Sequence, residues 1–141
     1  MPLELTQIGT VRSDFEQPAD PERMRSRESR IVLEPSLEAG LTGIERNDHL
    51  VVLFYLHESD GYDLVAPRRD GIERGTFACR SPYRPSPVGS TTVELLERDG
   101  RQLRVAGLDA IDGTPVIDIK PYAASLDCPS RPESDDHLED E

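Results

Sequence analysis

Glycine and proline interrupt this chain so often that no long helical pattern survives between them. The 141 residues include 10 glycines and 12 prolines. Both end regular structure, because glycine adds backbone freedom and proline lacks a backbone donor. The short apolar or alternating runs between these breaks predict a mainly β fold, a small closed or nearly closed antiparallel-rich β-barrel with long loops. The predicted strands are Leu3–Val11, Arg30–Glu34, His49–His57, Gly89–Glu97, Gln102–Leu108 and Val116–Lys120.

The run from His49 to His57 is the strongest apolar segment of the chain. Its length and its β-branched residues predict a strand that is buried on both faces. Phe54 and Tyr55 within it are expected in the core, unless one of them lines a ligand pocket, and the isolated Phe77 is expected in the core.

Three connecting segments carry turn or loop signals. Asp99 and Gly100 separate two alternating runs, which predicts a β-hairpin. The charged segment Pro67–Gly75 predicts a loop, and the polar segment Asp14–Arg30 predicts a loop with a short helical turn.

The segment from Arg80 to Gly89 is stiffer than an ordinary surface loop. Each of its three prolines fixes its own φ and pushes the residue before it into the extended region. The residues held in this way are Ser81, Arg84 and Ser86. Side chains on such a preset backbone suit a ligand site that is organised before its ligand arrives, although a simple proline-rich connector has the same composition. Arg80 and Arg84 each carry a guanidinium that can pair with a carboxylate.

The last predicted strand, Val116–Lys120, places alternate side chains on opposite faces. Ile117 and Ile119 are expected to point into the barrel, and Asp118 and Lys120 are expected to share the other face. Two interpretations of this pair stay open, a surface ion pair and a functional site. Lys120 is the one lysine among 16 basic residues, and Pro121 ends the strand directly after it.

The charge balance is strongly acidic, with 28 acidic and 16 basic residues and a net charge of −12. Acid-rich, lysine-poor chains suit concentrated salt, which screens their self-repulsion, so we expect a halophilic source. The chain length predicts one domain. No apolar run reaches the length of a membrane span, the N-terminus lacks a signal-peptide pattern, and Cys79 and Cys128 have no metal-like spacing. We therefore expect a cytoplasmic protein with two reduced thiols and no membrane partner.

Two long motifs resemble the paired signature of a known family. They are Gly75–Gly89 (GTFACRSPYRPSPVG) and Asp112–Tyr122 (DGTPVIDIKPY), with weaker similarity at Ile8–Ser13 and His49–His57. The chain resembles the TrmO-type (TsaA-like) β-barrel tRNA methyltransferases, which use S-adenosyl-L-methionine. The resemblance covers roughly residues 3 to 125, so we expect a barrel domain over 1–125 and an acidic, disordered tail over 126–141.

The resemblance implies an activity and a set of site residues. The family methylates N6 of threonylcarbamoyladenosine at position 37 of tRNA, and its members are homodimers. It implies a cofactor-binding role for Arg80, Ser81, Arg84, Ser86, Pro87 and Val88, and a catalytic role for Asp118, Lys120 and Tyr122. Tyr83 and Tyr122 are each expected either to stack on a base or to pack against the protein.

The sequence departs from the family pattern in places. Ser86 stands where the family usually has asparagine, and the basic stretch Arg23–Arg30, a candidate RNA contact, differs from the usual N-terminal loop. Three other interpretations remain open. The chain could be a non-catalytic nucleotide- or RNA-binding barrel, a metal-dependent hydrolase built on His57, Asp60 and Asp63, or a methyltransferase with a different substrate.

Overall fold

Six strands close into an antiparallel barrel in a computed structural model, which describes residues 2–129. The order around the barrel is β1-β2-β7-β6-β3-β8, and β4 and β5 form a separate two-stranded ribbon. The predicted fold class is confirmed. The strands are β1 Gly9–Arg12, β2 Glu28–Leu33, β3 His49–Tyr55, β4 Val65–Pro67, β5 Glu73–Gly75, β6 Val88–Asp99, β7 Gln102–Ala106 and β8 Pro115–Pro121. The α-helices are α1 Pro21–Arg25 and α2 Ala124–Asp127, and 3-10 helices span Pro35–Leu41, Ile44–Arg46 and Thr76–Ala78.

Alternate residues of the barrel strands fill one apolar core. The fully buried side chains include those of Val11, Ile31, Leu50, Val52, Val93, Leu103, Val105, Leu108 and Val116. Burying a side chain of this size contributes about 1.5–3 kcal/mol. Strand β3 lies between β6 and β8 and pairs with both along most of its length.

Several details differ from the sequence predictions. β1 starts at Gly9, and Leu3 and Leu5 are exposed because β1 pairs with β2 and β8 only from Gly9 onward. Residues 65–75 form the β4–β5 ribbon instead of a loop, while the predicted 99–100 hairpin and the helical turn before β2 are confirmed.

The burial of β3 alternates, so this strand is buried fully on one face and partly on the other. Phe54 lies in the core as predicted, whereas Tyr55 points to the outer face and is exposed. Phe77 is also wrong as a core residue, because 77% of its surface is exposed.

A β-bulge in β8 explains a further difference. Leu53 pairs with Asp118 and Phe54 pairs with Val116, which leaves Ile117 as an extra residue. Val116 and Ile119 therefore face the core side, while Ile117 is only half-buried and does not point into the barrel as predicted. Such a bulge re-aims the side chains beside it.

The described residues reach into the predicted tail of residues 126–141. Helix α2 crosses the predicted domain boundary at 125, and residues 130–141 lie outside the described residues. Within residues 2–129, no helix is long and apolar enough to cross a membrane.

Gly89 allows the ring of Phe54 to enter the core. A Cβ added to Gly89 would lie 2.5 Å and 2.6 Å from two ring carbons of Phe54. We expect Gly89→Ala to lower the free energy of unfolding by roughly 1–3 kcal/mol, because the buried ring has to move. Urea denaturation followed by circular dichroism measures this change.

Gly40→Ala is the matched control, because no atom lies within 4 Å of the Cβ added there. Its effect is expected to stay within about 0.5 kcal/mol. Equal stability of the two variants would contradict the proposed contact between Gly89 and Phe54.

Candidate functional site

Hydrogen bonds hold the segment Arg80–Gly89, which we call the proline segment, in a fixed shape. Arg84 Nη1 donates to the carbonyl oxygens of Cys79 and Ser81, at 2.9 Å each. Ser59 Oγ donates to the Pro82 carbonyl at 2.8 Å, and Thr76 Oγ1 donates to the Tyr83 carbonyl at 3.2 Å. The segment is therefore tied to two neighbouring parts of the chain and to itself.

Cys79 and Cys128 are both free thiols in the structure. Cys79 is buried directly before the proline segment in the chain, and its Sγ contacts the carbonyl oxygen of Thr76 at 3.6 Å.

The predicted cofactor-binding residues do not all face the same way. Ser81 is buried, and its Oγ accepts a hydrogen bond from the Tyr83 amide at 3.1 Å, so this serine shapes the segment from inside. Ser86 is exposed, and Arg80 Nη2 donates to the Ser90 carbonyl at 2.7 Å on β6. Pro87 accepts a hydrogen bond from the Leu56 amide at 2.7 Å, and Val88 starts β6 opposite Tyr55.

Asp118 and Lys120 share the outer face of β8, as predicted. Lys120 Nζ lies 2.8 Å from Asp118 Oδ2, and Asp118 Oδ1 accepts a hydrogen bond from the Ile119 amide. The pair is open to solvent, with 64% of the Lys120 side chain and 46% of the Asp118 side chain exposed. The hydrogen bond and the charge of Asp118 raise the pKa of Lys120 above its ordinary value.

The register of β3 brings the two sequence motifs onto one surface. Ser90 pairs with Leu53, and Leu53 pairs with Asp118, so these residues form one row across β6, β3 and β8. The next row is Thr92, Val51 and Lys120. We call the outer face formed by these two rows the motif face. Because neighbouring strands are about 4.8 Å apart, the backbone of Ser90 lies about 10 Å from that of Asp118.

The middle of the motif face is apolar and its sides are polar. Val51 and Leu53 are half-buried, while Ser90, Thr92 and Lys120 around them are exposed. Arg80 reaches this surface through its hydrogen bond to Ser90. The surface therefore offers an apolar floor, hydroxyl groups, cations and one carboxylate to a ligand.

Tyr122 lies just beyond the end of this surface. Its amide donates to the His49 carbonyl at 3.1 Å, and the two rings meet edge to face with centroids 6.4 Å apart. His49 thus has an aromatic neighbour at the start of β3. His57 follows the end of that strand, and its Nε2 lies 4.0 Å from Glu58 Oε2. Within residues 2–129, no three histidine, cysteine, aspartate or glutamate side chains are grouped as a metal site would need.

A separate groove of about 300 Å³ opens beside the proline segment. Its walls are Asp60, Gly61, Tyr62, Asp63, Ala66, Arg68, Ser81 and Tyr83. Of these, only Ser81 was predicted as a cofactor-binding residue. Tyr62 and Arg68 were missed because the groove forms where the segment Asp60–Asp63 meets the β4–β5 ribbon. Neither residue type nor spacing predicts that these two segments come together.

Four arginines near β1 and β2 are paired with carboxylates, whereas Arg30 donates to Gln102 Oε1 at 3.3 Å and Arg23 lies over the ring of Phe15. The pairs are Arg12–Asp112 at 4.0 Å, Arg25–Asp109 at 3.3 Å, Arg27–Asp14 at 3.6 Å and Arg104–Glu28 at 2.8 Å. RNA phosphates would have to compete with these carboxylates at Arg25 and Arg27, and the RNA contact expected at Arg23–Arg30 stays a prediction.

Lys120 gives a direct test of the ion pair, because it is the only lysine of the chain. Asp118→Asn is expected to lower the pKa of Lys120, since the variant loses the carboxylate charge. The single lysine ¹³Cε resonance in an NMR titration measures this pKa. In the wild type, the ion pair stabilises the fold fully below the ordinary lysine pKa of about 10.4. This stabilisation is lost as the pH rises through the raised pKa of Lys120.

Asp99→Asn, at the far end of β6, is the control and should leave the titration unchanged. Identical midpoints for the wild type and Asp118→Asn would rule out the pairing in solution.

Comparison with known proteins supports the family resemblance. The model of the tRNA-methyltransferase O N-terminal domain matches residues 9–128. A probable S-adenosyl-L-methionine-binding protein of Archaeoglobus fulgidus is 47% identical over 131 residues, covering 90% of this chain and 36% of that protein. The tRNA (adenine(37)-N6)-methyltransferase of Mus musculus is 41% identical over 96 residues, covering 65% of this chain and 22% of the mouse protein.

The solved structures agree with the sequence comparisons. The crystal structure of TrmO from Pseudomonas aeruginosa superposes with a TM-score of 0.79 at 28% identity, over 100% of this chain and 65% of that one. This chain thus spans only part of each of these three proteins. Because the family match covers most of its length, the chain belongs to the family of the tRNA-methyltransferase O N-terminal domain.

Proposed function

We propose that this chain is an S-adenosyl-L-methionine-dependent tRNA methyltransferase that acts on N6 of threonylcarbamoyladenosine at position 37. The observation that carries the proposal is the motif face. There the register of β3 brings Ser90, which accepts a hydrogen bond from Arg80 of the proline segment, into one surface with Asp118 and Lys120. The family membership and the names of the archaeal and mouse relatives support the same reaction and the same cofactor.

The residues of the motif face fit the chemistry of S-adenosyl-L-methionine. The half-buried side chains of Val51 and Leu53 suit an adenine ring, and an arginine suits the methionine carboxylate. Arg84 has Nη2 and Nε free of hydrogen bonds within residues 2–129, and Arg80 extends to the edge of the surface. When bound, the cofactor supplies an electrophilic methyl group.

Positioning and one proton transfer are the tasks left to the protein. The acceptor N6 is attached to a carbamoyl carbonyl, so its proton is more acidic than that of a plain adenine amine. We assign Asp118 Oδ2 as the proton acceptor, since its carboxylate is open to the substrate side. Lys120 fixes this carboxylate and adds a cation for the threonyl carboxylate, and Tyr122 borders the same surface.

A homodimer would cover the surfaces that one subunit leaves open. The β4–β5 ribbon and its flanks carry four exposed apolar side chains, which we call the ribbon patch: Leu64, Val65, Ile72 and Phe77. Backbone hydrogen bonds join the two ends of this patch, from Thr76 to Leu64 and from Arg68 to Ile72. Several exposed apolar side chains grouped on one ribbon mark a contact site, and we assign a second copy of the chain as their occupant.

We also place this reaction in a cytoplasm with concentrated salt. The net charge of −12 would repel RNA in dilute buffer. At about 1 M salt the Debye length falls to about 3 Å, so the repulsion is largely screened.

Asp118→Ala tests the assigned base. We expect turnover of threonylcarbamoylated tRNA to fall by at least about 100-fold, because general-base catalysis contributes about 10²–10⁴. The Kd for S-adenosyl-L-methionine, measured by calorimetry, should stay within about threefold of the wild-type value. Mass spectrometry of tRNA nucleosides measures the product.

Asp99→Ala is the matched control, because it removes an exposed carboxylate at the end of β6 that lies away from Ser90 and the motif face. Unchanged turnover in Asp118→Ala would remove Asp118 as the base. Cofactor binding without any methyl transfer by the wild type would favour the binding-module interpretation.

Phe77→Asp tests the homodimer. Light scattering should give twice the 15.7 kDa chain mass for the wild type and the single mass for the variant, because the new charge would be buried against the partner. Leu126→Asp changes an equally exposed apolar residue outside the ribbon patch, and it should remain dimeric. A monomeric wild type would overturn the assignment.

A further inference from the structure

The groove beside the proline segment combines aromatic, acidic and basic side chains in a way that the methyl-transfer site does not use. We call it the tyrosine groove; its chemically active walls are Asp60, Tyr62, Asp63, Arg68 and Tyr83. Its volume of about 300 Å³ is large enough for one flat heterocycle.

Both tyrosines of the groove have accessible rings. Tyr62 is 49% exposed and Tyr83 is 52% exposed, so neither ring is used to fill the core. Tyr83 is held by its backbone, since its amide donates to Ser81 Oγ and its carbonyl accepts from Thr76 Oγ1. A fixed backbone under an exposed ring is suited to stacking on a base.

The charges of the groove favour a base edge over a phosphate. Asp60 and Asp63 contribute two carboxylates and Arg68 one cation, so the net charge of the walls is negative. A phosphate would be repelled, whereas a carboxylate accepts hydrogen bonds from the exocyclic amine of a base such as cytosine.

Arg68 has an unused donor within the groove wall. Its Nη2 donates to the Arg74 carbonyl at 3.1 Å, but its Nε is buried and has no hydrogen-bond partner among residues 2–129. The buried Nε is closed to solvent and therefore to a ligand, but Arg68 lines the groove and its guanidinium carries further N–H donors that an incoming carbonyl oxygen can accept from. A base that carries both an amine and a carbonyl therefore complements Asp60, Asp63 and Arg68 together.

From these observations we infer that the tyrosine groove binds a second, unpaired RNA base that carries both an exocyclic amino group and a carbonyl, which is cytosine or guanine. Tyr62 and Tyr83 stack on the ring, Asp60 or Asp63 accepts from the amine, and Arg68 donates to the carbonyl. This inference rests on the proposed function in one respect, that the substrate is RNA. Tyr83 and Arg80 belong to one braced segment, so a base held here would position the RNA relative to the motif face.

Two matched pairs of variants test the stacking. Tyr62→Ala and Tyr83→Ala should each weaken binding of a 17-nucleotide anticodon stem-loop by roughly 5-fold to 100-fold, the range for loss of one stacked base. Tyr62→Phe and Tyr83→Phe keep the ring and should bind like the wild type. Fluorescence anisotropy at fixed salt measures the Kd, and circular dichroism checks that every variant folds.

Two RNA hexamers test the base edge. The wild type should bind hexacytidylate at least about fivefold more tightly than hexauridylate, since uracil has a carbonyl where cytosine has the amine. Asp60→Asn and Asp63→Asn, combined in one chain, should remove this preference. An equal Kd for both hexamers in the wild type would overturn the assigned base edge.

The experiment separates this inference from the proposed function. Alanine variants that bind the stem-loop like the wild type, while methyl transfer persists, would overturn the groove as a base site and leave the methyltransferase proposal standing. A wild type that binds neither the stem-loop nor either hexamer would overturn both the groove as a base site and the methyltransferase proposal. Calorimetry with S-adenosyl-L-methionine should give the same Kd for Tyr62→Ala as for the wild type, and a large loss there would assign the groove to the cofactor instead.

Discussion

The pairing of β3 with both β6 and β8 is the constraint on which the candidate site depends. The two sequence motifs lie far apart along the chain, and the register of this one strand places Ser90, Leu53 and Asp118 in a single row. Slipping a strand by one residue would turn every side chain to the other face. The core contacts of Leu50 and Val52 oppose that slip, so the packing of the barrel interior also fixes the geometry of its outer surface.

The limits of sequence-based prediction are clearest in β8. Alternation correctly placed Asp118 and Lys120 on one face, because these residues follow the bulge and keep the ordinary period of two. It failed for Ile117, since the extra residue depends on how β8 meets β3 and leaves no mark on composition. The predicted barrel and hairpin held because glycine, proline and alternation act locally, whereas the exposure of Tyr55 and Phe77 is decided by which neighbours arrive from elsewhere.

The proline segment illustrates a similar division between local and tertiary causes. Its stiffness follows from the sequence alone, since each proline restricts two residues. The direction of each side chain does not. Arg84 uses Nη1 to close the segment on itself, and Ser81 turns inward to cap the Tyr83 amide. A residue implied by a family motif can thus support a site by shaping its backbone, without facing the ligand.

Charge constrains how the proposed RNA substrate can be bound by so acidic a chain. Phosphate contacts usually dominate affinity through released counterions, but a net charge of −12 and arginines paired with carboxylates weaken that route. Stacking and base-edge hydrogen bonds involve neutral parts of the nucleotide, so they suffer far less from the surrounding acid and from high salt. An acidic barrel that binds RNA must therefore place its affinity in aromatic rings and directed polar groups. The exposed tyrosines beside Asp60, Asp63 and Arg68 have that composition.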